Sequence, residues 1–317
     1  MRYAFIVNPR AGKHNPAEWF MPQVRAWFDA RGLDYSVQLT EYPGHAAELA
    51  RAAGAAGDEV RVIAVGGDGT LCEAANGAMH LPNVAVGVLP CGSGNDYLKM
   101  FGTRADFIDL ERLVNGTAYP VDMIENNRVP ALNICCAGLD ASVALNMARY
   151  KQLPLVTGAT AYNIALFKAF CGKMGNPMRI WVNGELVADG TFLLSVFANG
   201  RCYGGGYFAS PKSLIDDGVL DVLLVRVPKS RLQIPGLVAE YKAGHHLDSA
   251  KFNDLLKVFH GQQVSFEAKH PVAVTADGEC FEIDRMDFSV LPHAVRFLVP
   301  QGCRTECLQA AQEATVS

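Results

Sequence analysis

The sequence predicts an α/β domain with a three-layer parallel sheet, followed by a mostly antiparallel β-sandwich that carries helical insertions. Three observations lead there. Apolar runs without polar alternation recur between helically spaced segments over the first 120 or so residues, and such runs belong to parallel strands covered on both faces. From about residue 121 short β-rich runs follow one another, some separated by hairpin signals such as Asn183-Gly184. The chain has 317 residues, about twice the ~150 usual for one domain, so two domains are expected.

In order, Tyr3 to Val7 reads as a strand ending at Asn8-Pro9, and residues 17–31 place Trp19, Phe20, Val24, Trp27 and Phe28 at helical spacing. Tyr35 to Leu39 is a strand, His45 to Ala56 an alanine-rich helix and Val60 to Val65 a buried strand. A helix over Leu71 to Met79, a strand over Val84 to Leu89 and a helix over Asp106 to Val114 complete the unit. Further strands are expected over 131–136, 178–182, 192–198, 219–226, 263–267, 272–276 and 294–299, with helical stretches over 142–170 and 232–259. The domains are therefore 1–125 and 126–300, with a polar tail over 301–317.

Composition excludes several classes. With 50% hydrophobic and 19% charged residues and a net charge of −4, neither disorder nor general nucleic-acid affinity is expected. No apolar run approaches the ~18 residues of a membrane span, and the start, MRYAFIVNPR, does not read as a signal peptide. Nine scattered cysteines without framework spacing suggest reduced thiols and a cytoplasmic protein; Cys303 and Cys307 lack a second pair to complete a metal site.

The chemistry concentrates in three glycine-bearing loops at the carboxyl ends of strands: Asn8-Pro9-Arg10-Ala11-Gly12-Lys13, Val65-Gly66-Gly67-Asp68-Gly69-Thr70 and Cys91-Gly92-Ser93-Gly94-Asn95-Asp96. That edge is where open parallel sheets bind ligands. Glycines admit backbone amides close to a ligand, and the helix after Gly67 offers free N–H groups to phosphate. Asp68 would repel bare phosphate, so it implies a cation such as Mg²⁺ between carboxylate and nucleotide. A tight turn with Asp68 near a helix cap explains the middle loop equally well when taken singly. Three loops on one edge favour a nucleotide site. Neither a Walker A loop nor a dinucleotide fingerprint is present.

In this order and spacing, NPRAG, GGDGT and LPCGSGND resemble the diacylglycerol kinase catalytic domain, a superfamily that includes bacterial lipid kinases and the sphingosine and ceramide kinases. Its nucleotide domain is similar to those of NAD kinases and 6-phosphofructokinases. In the second half, Asn199 to Gly206, Ser210-Pro211, Asp216-Asp217-Gly218-Val219-Leu220-Asp221 and Ala276-Asp277-Gly278-Glu279 resemble the lipid-kinase substrate domain. The resemblance spans residues 3–299.

It implies an ATP- and Mg²⁺-dependent transfer of the γ-phosphoryl group to the hydroxyl of diacylglycerol or a related lipid. Nucleotide contacts carry over onto Asn8, Pro9, Arg10, Ala11, Gly12, Thr40, Gly66, Gly67, Asp68, Gly69, Thr70, Leu71, Cys72 and Ser93. Many relatives have threonine where this chain has Ser93; the hydroxyl is kept. Glu279 matches the family's general base, with Asp68, and in support Asp96 and Asp122, holding Mg²⁺ through water. A second, structural Mg²⁺ carries over onto Asp217 and the carbonyls of Leu214 and Val219. Lipid is expected to enter along residues 147–174. The implied protein contacts membranes peripherally, and a homodimer is compatible with it. An NAD kinase-like enzyme with a soluble substrate, or a catalytically silent lipid-binding protein, are the alternatives.

Overall fold

A computed structural model of the chain describes residues 1–92, 94–150, 172 and 174–309. The amino-terminal half is built on four parallel strands in the order β4 (Val84–Pro90), β3 (Val60–Gly66), β1 (Arg2–Val7) and β2 (Tyr35–Leu39). Alternate residues of these strands leave for opposite faces. Ala4, Ile6, Val62 and Ala64 pack with Ala46 and Ala50 of helix α3 (His45–Gly54) and Leu71, Ala74 and Ala75 of α4 (Asp68–Ala78). Phe5, Val7, Ile63 and Val65 pack on the other face with Met21, Val24 and Phe28 of α2 (Met21–Asp29), which follows the single turn α1 (Pro16–Trp19). Helices α3 and α4 touch so closely that a Cβ at Gly77 would lie 2.1 Å from the Ala47 carbonyl oxygen.

The segment expected as one helix over 106–114 is two short ones, α5 (Arg104–Ile108) and α6 (Leu110–Val114). Asp109 stands between them in extended backbone, and its carboxylate caps Arg112 N. Strand β5 (Thr117–Asn126) then runs antiparallel to the carboxyl-terminal β12 (Glu279–Val299). That 21-residue strand is the largest departure from the sequence reading, which recognised only its last six residues. Its first half pairs with β11 (Gln263–Ala276), whereas Arg296 and Phe297 pair in parallel with β4, so one strand joins the two halves into a single sheet.

The second half is antiparallel and β-rich. β6 (Ile134–Gly138) lies between β8 (Glu185–Ala198) and β11 at one end, and β7 (Asn176–Val182) lies between the same two strands at the other. β9 (Leu220–Arg226) and β10 (Leu256–Gly261) extend the β8 edge. Phe192, Phe197, Phe266 and Phe288 fill one face. On the other face Ile134, Cys136, Val196 and Leu223 meet α7 (Leu139–Tyr150) and α8 (Ile234–Ala243) through Ala141, Leu237 and Tyr241.

The stretch read as helical over 232–259 therefore contains only α8 and short 3₁₀ turns before it becomes β10: Gly244, at φ +77°, ends the helix, and pairing to β9 overrides helical spacing from Leu256 onward. The helical reading of 142–170 coincides with α7 as far as Tyr150, and its remainder lies outside the described residues. Residues 301–309, read as the start of a polar tail, are docked: Cys307 and Leu308 are fully buried, and Ile215 N donates to the Cys307 carbonyl. Among the described residues no helix is long and apolar enough to cross a membrane.

Candidate active site

The three glycine loops meet at the carboxyl edge of β1, β3 and β4. The Gly66 carbonyl accepts hydrogen bonds from Cys91 N at 2.8 Å, Gly92 N at 3.1 Å and Asn95 Nδ2 at 3.1 Å, which ties the second loop to the third. A Cβ on Gly92 would come within 2.5 Å of Gly67 Cα. The first loop closes on both. Asn8 Nδ2 donates to Thr70 Oγ1 at 3.1 Å, Asn8 Oδ1 accepts from Arg10 N, and Gly12, at φ +76°, approaches the Cys91 carbonyl so closely that a Cβ would sit 2.3 Å from its oxygen. Thr40 follows β2 and donates its amide to the Val7 carbonyl. A glycine with positive φ and no Cβ is what such a contact requires.

Asp68 opens α4 at the centre of this arrangement. One carboxylate oxygen, Oδ1, accepts from Asp96 N at 2.7 Å and Tyr97 N at 3.3 Å, so the third loop fixes the side chain. Burial, then the neighbouring charge of Asp96, push its pKa up to about 6, and the charge of Asp277 adds to this. Asp96 is itself buried and shared: Oδ1 meets Lys99 Nζ at 2.5 Å and Oδ2 accepts from Gly205 N at 2.6 Å. A crowded pair of carboxylates, with no hydrogen bond to the other Asp68 oxygen among the described residues, fits a hard cation such as Mg²⁺.

The second half reaches this site at two places. Gly204, Gly205 and Gly206 all have positive φ (61°, 85° and 114°), and this turn presents the Gly205 amide to Asp96. The β11–β12 hairpin supplies the other. Asp277, at φ 45°, turns its carboxylate onto the amides of Leu132, Asn133 and Ile134 at 2.6 to 3.2 Å, and Cys72 of α4 lies beside it. It is thus an anchor for the start of β6. Glu279, two residues on, begins β12 and is exposed, and its carboxylate makes no hydrogen bond among the described residues.

The turn at 214–219 is anchored through Asp122. Asp122, read from sequence as a companion of Asp68, instead accepts from Gly218 N and His293 N, both at 2.7 Å, and its amide donates to the Ile215 carbonyl. Asp216 accepts from Gln309 N, and Asp221 is held by the Ser210 and Ser213 hydroxyls and the His260 ring. Among the described residues Asp217 accepts the Val219 amide alone, at 3.0 Å; burial, then Asp221, Asp122 and Asp216, drive its pKa up to about 6. Among the described residues no three His, Cys, Asp or Glu side chains converge as metal ligands. A cation here would rely on Asp217 with main-chain carbonyls and water, which is the donor set carried over onto Leu214, Asp217 and Val219.

Of the nucleotide contacts expected from sequence, the structure brings Asn8, Ala11, Gly12, Gly66, Gly67, Asp68 and Thr70 together, with Pro9, Arg10 and Gly69 on the same loops. Leu71 is a core residue of α4, and Cys72 faces Pro130 and Asp277. Ser93 lies outside the described residues. The sequence reading missed Lys99, whose i+3 spacing from Asp96 was the available signal, and the anchoring role of Asp277, which no local pattern announces.

Family comparisons agree with this architecture. Residues 2–126 match the diacylglycerol kinase catalytic domain, and residues 133–299 match the YegS C-terminal NAD kinase beta sandwich-like domain. These matches define a kinase, a phosphotransferase. Within that class the chain belongs to the family of the YegS-like lipid kinases. It is 32% identical over 257 residues to "Probable lipid kinase YegS-like" of Shewanella frigidimarina, covering 77% of each chain, and 30% identical over 278 residues to the protein of that name in Pseudomonas aeruginosa strain PAO1, covering 86% of each. Among solved structures, a diacylglycerol kinase of Bacillus anthracis str. Sterne superposes with a TM-score of 0.65 at 18% identity, covering 95% of this chain and 97% of that one. Yeast NADH kinase complexed with NADH superposes with a TM-score of 0.50 at 10% identity, over 96% and 84% of the two chains. Both structural likenesses speak for the fold alone.

Proposed function

We propose that the chain is an ATP-dependent lipid kinase that transfers the γ-phosphoryl group to the hydroxyl of diacylglycerol or a related membrane lipid, with Mg²⁺. One observation carries the reading: the convergence of the three glycine loops on Asp68, with Asp96 linking them to the Gly205 amide of the second half. Loop amides and the start of α4 suit phosphate oxygens. Asp68, supported by Asp96, is the residue that would hold Mg²⁺, which supplies charge neutralisation at the transferred phosphoryl group. Glu279 is assigned the general base. Its exposed carboxylate stands two residues from Asp277, whose charge bears on Asp68, and it could accept a proton from an incoming hydroxyl. Asp217, with the Leu214 and Val219 carbonyls, is assigned a second, structural Mg²⁺. The site is assigned to a cytoplasmic enzyme that meets the membrane peripherally.

The names of its relatives favour lipid over a soluble nucleotide as acceptor. The deciding experiment incubates the protein with γ-labelled ATP and Mg²⁺ and either a panel of dispersed lipids or NAD. Label in a lipid is expected; label in NADP alone would replace this function with that of an NAD kinase.

A further inference from the structure

Helix α8 (Ile234–Ala243) buries Ile234, Leu237 and Tyr241 against the second half and turns its opposite face outward. That outer stripe consists of Pro235, Val238, Ala239 and Lys242, and Leu232 continues it one turn earlier, 88% exposed. Leu232 and the Pro235, Val238 and Ala239 side chains form an apolar strip along this outer face, which ends at Lys242. The acid of this helix, Glu240, is paired with Lys251 at 2.8 Å. Cationic side chains lie beside the stripe: Lys229 and Lys242 are exposed, and Arg231 is hydrogen-bonded to the Gly172 carbonyl. This basic edge stands on a chain of net charge −4, so it is a local feature and not a consequence of composition. An apolar strip with exposed lysines beside it suits an anionic lipid surface.

The helix also touches the segment that reaches Asp96. Tyr241 OH lies 3.2 Å from Tyr203 OH, Phe208 N donates to the Lys242 carbonyl, and Lys242 Nζ stands 5.4 Å from the Tyr207 ring centre. The segment 203–208 held in this way contains Gly205, whose amide binds Asp96. A bilayer under α8 would thus lie beside the loop that joins the two halves of the site.

We propose that the outer face of α8, with Leu232 in the turn before it and the exposed Lys229 and Lys242 beside it, is the surface by which the protein docks on anionic membranes. The proposal rests on the lipid-kinase reading for its purpose, though not for its test. Full-length protein is sedimented with vesicles of phosphatidylglycerol and phosphatidylethanolamine, or of phosphatidylcholine alone, beside Leu232→Asp, Lys229→Glu and a control, Leu186→Asp, at a 53%-exposed leucine of the β7–β8 hairpin. Leu232→Asp is expected to weaken binding to the anionic vesicles about ten-fold or more, and Lys229→Glu about five-fold or more. Leu186→Asp should bind as wild type does. Equal loss in the Leu186 and Leu232 variants, or undiminished binding of both α8 variants, overturns the proposal. So does a change of oligomeric state in Leu232→Asp with vesicle binding intact, which would make the face a contact between copies. Phosphorylation of lipid in detergent micelles is measured in parallel. Activity retained there by the α8 variants supports a docking role, and absence of lipid phosphorylation by the wild type in any form counts against the kinase reading while leaving the vesicle result to decide this one.

Discussion

Asp68→Asn tests the centre of the site through stability as well as activity. The native environment moves this carboxyl from 3.8 to about 6, a displacement of about two units at ~1.4 kcal/mol each. Its folded pKa is raised, so its contribution to stability is fully present below about pH 4 and is lost as pH rises through 6. With divalent ions chelated at pH 8, the ionised Asp68 therefore costs the fold about 1 to 3 kcal/mol, the lower figure allowing for partial solvent access. Asparagine keeps an oxygen for the Asp96 and Tyr97 amides and removes the charge. The variant should be more stable than wild type by that amount at pH 8, a few degrees in Tm, and the gap should narrow to roughly a third at pH 4.5, where folded Asp68 is protonated while the unfolded carboxyl is still mostly ionised. Mg²⁺ with ATP should reverse the order at pH 8 by stabilising wild type selectively, and phosphoryl transfer by the variant should be lost. Thermal melts at the two pH values, with and without Mg²⁺ and ATP, measure all of this. A variant less stable than wild type by the same margin at both pH values would show that Asp68 is a structural acceptor and would refute the charge argument.

The other outcomes separate roles that lie close together in the fold. Glu279→Gln should lower kcat by about 10²-fold or more with little change in ATP affinity, as measured by steady-state kinetics and nucleotide titration; a large loss of ATP affinity would reassign it to the nucleotide or metal. Asp277→Ala, two residues earlier, should instead destabilise the fold by about 3 kcal/mol in urea unfolding, because three backbone amides lose a charged acceptor. For Asp217→Ala, loss of kcat together with an altered Mg²⁺ dependence is expected if the turn holds a cation. Unchanged kinetics, with stability altered by roughly 1 kcal/mol, would reduce Asp217 to a cap on Val219.

What could be read from the chain alone follows the range of the forces involved. Strands β1, β3 and β4 were legible to within a residue or so at each end, because mostly apolar runs ending at glycine or proline leave few alternatives, and β2 was legible to the residue although Ser36 and Gln38 interrupt it. The three loops were legible because glycine and aspartate follow strand ends directly. Tertiary structure decided the rest. The first half of β12, rich in Glu, Asp and Arg, forms a strand because β11 offers a complementary edge, and β10 forms at the expense of helical spacing because β9 does the same. Only packing could show that Asp277 faces three amides while Glu279 faces solvent, although both belong to one four-residue motif. Asp122 and Asp96 looked alike as buried acids near strand ends, yet the fold gives one to Gly218 and His293 and the other to Lys99 and Gly205. Local pattern fixes which residues can make a loop or a strand; which carboxylate meets which amide is set by partners roughly a hundred residues away, and that information resides in the assembled fold.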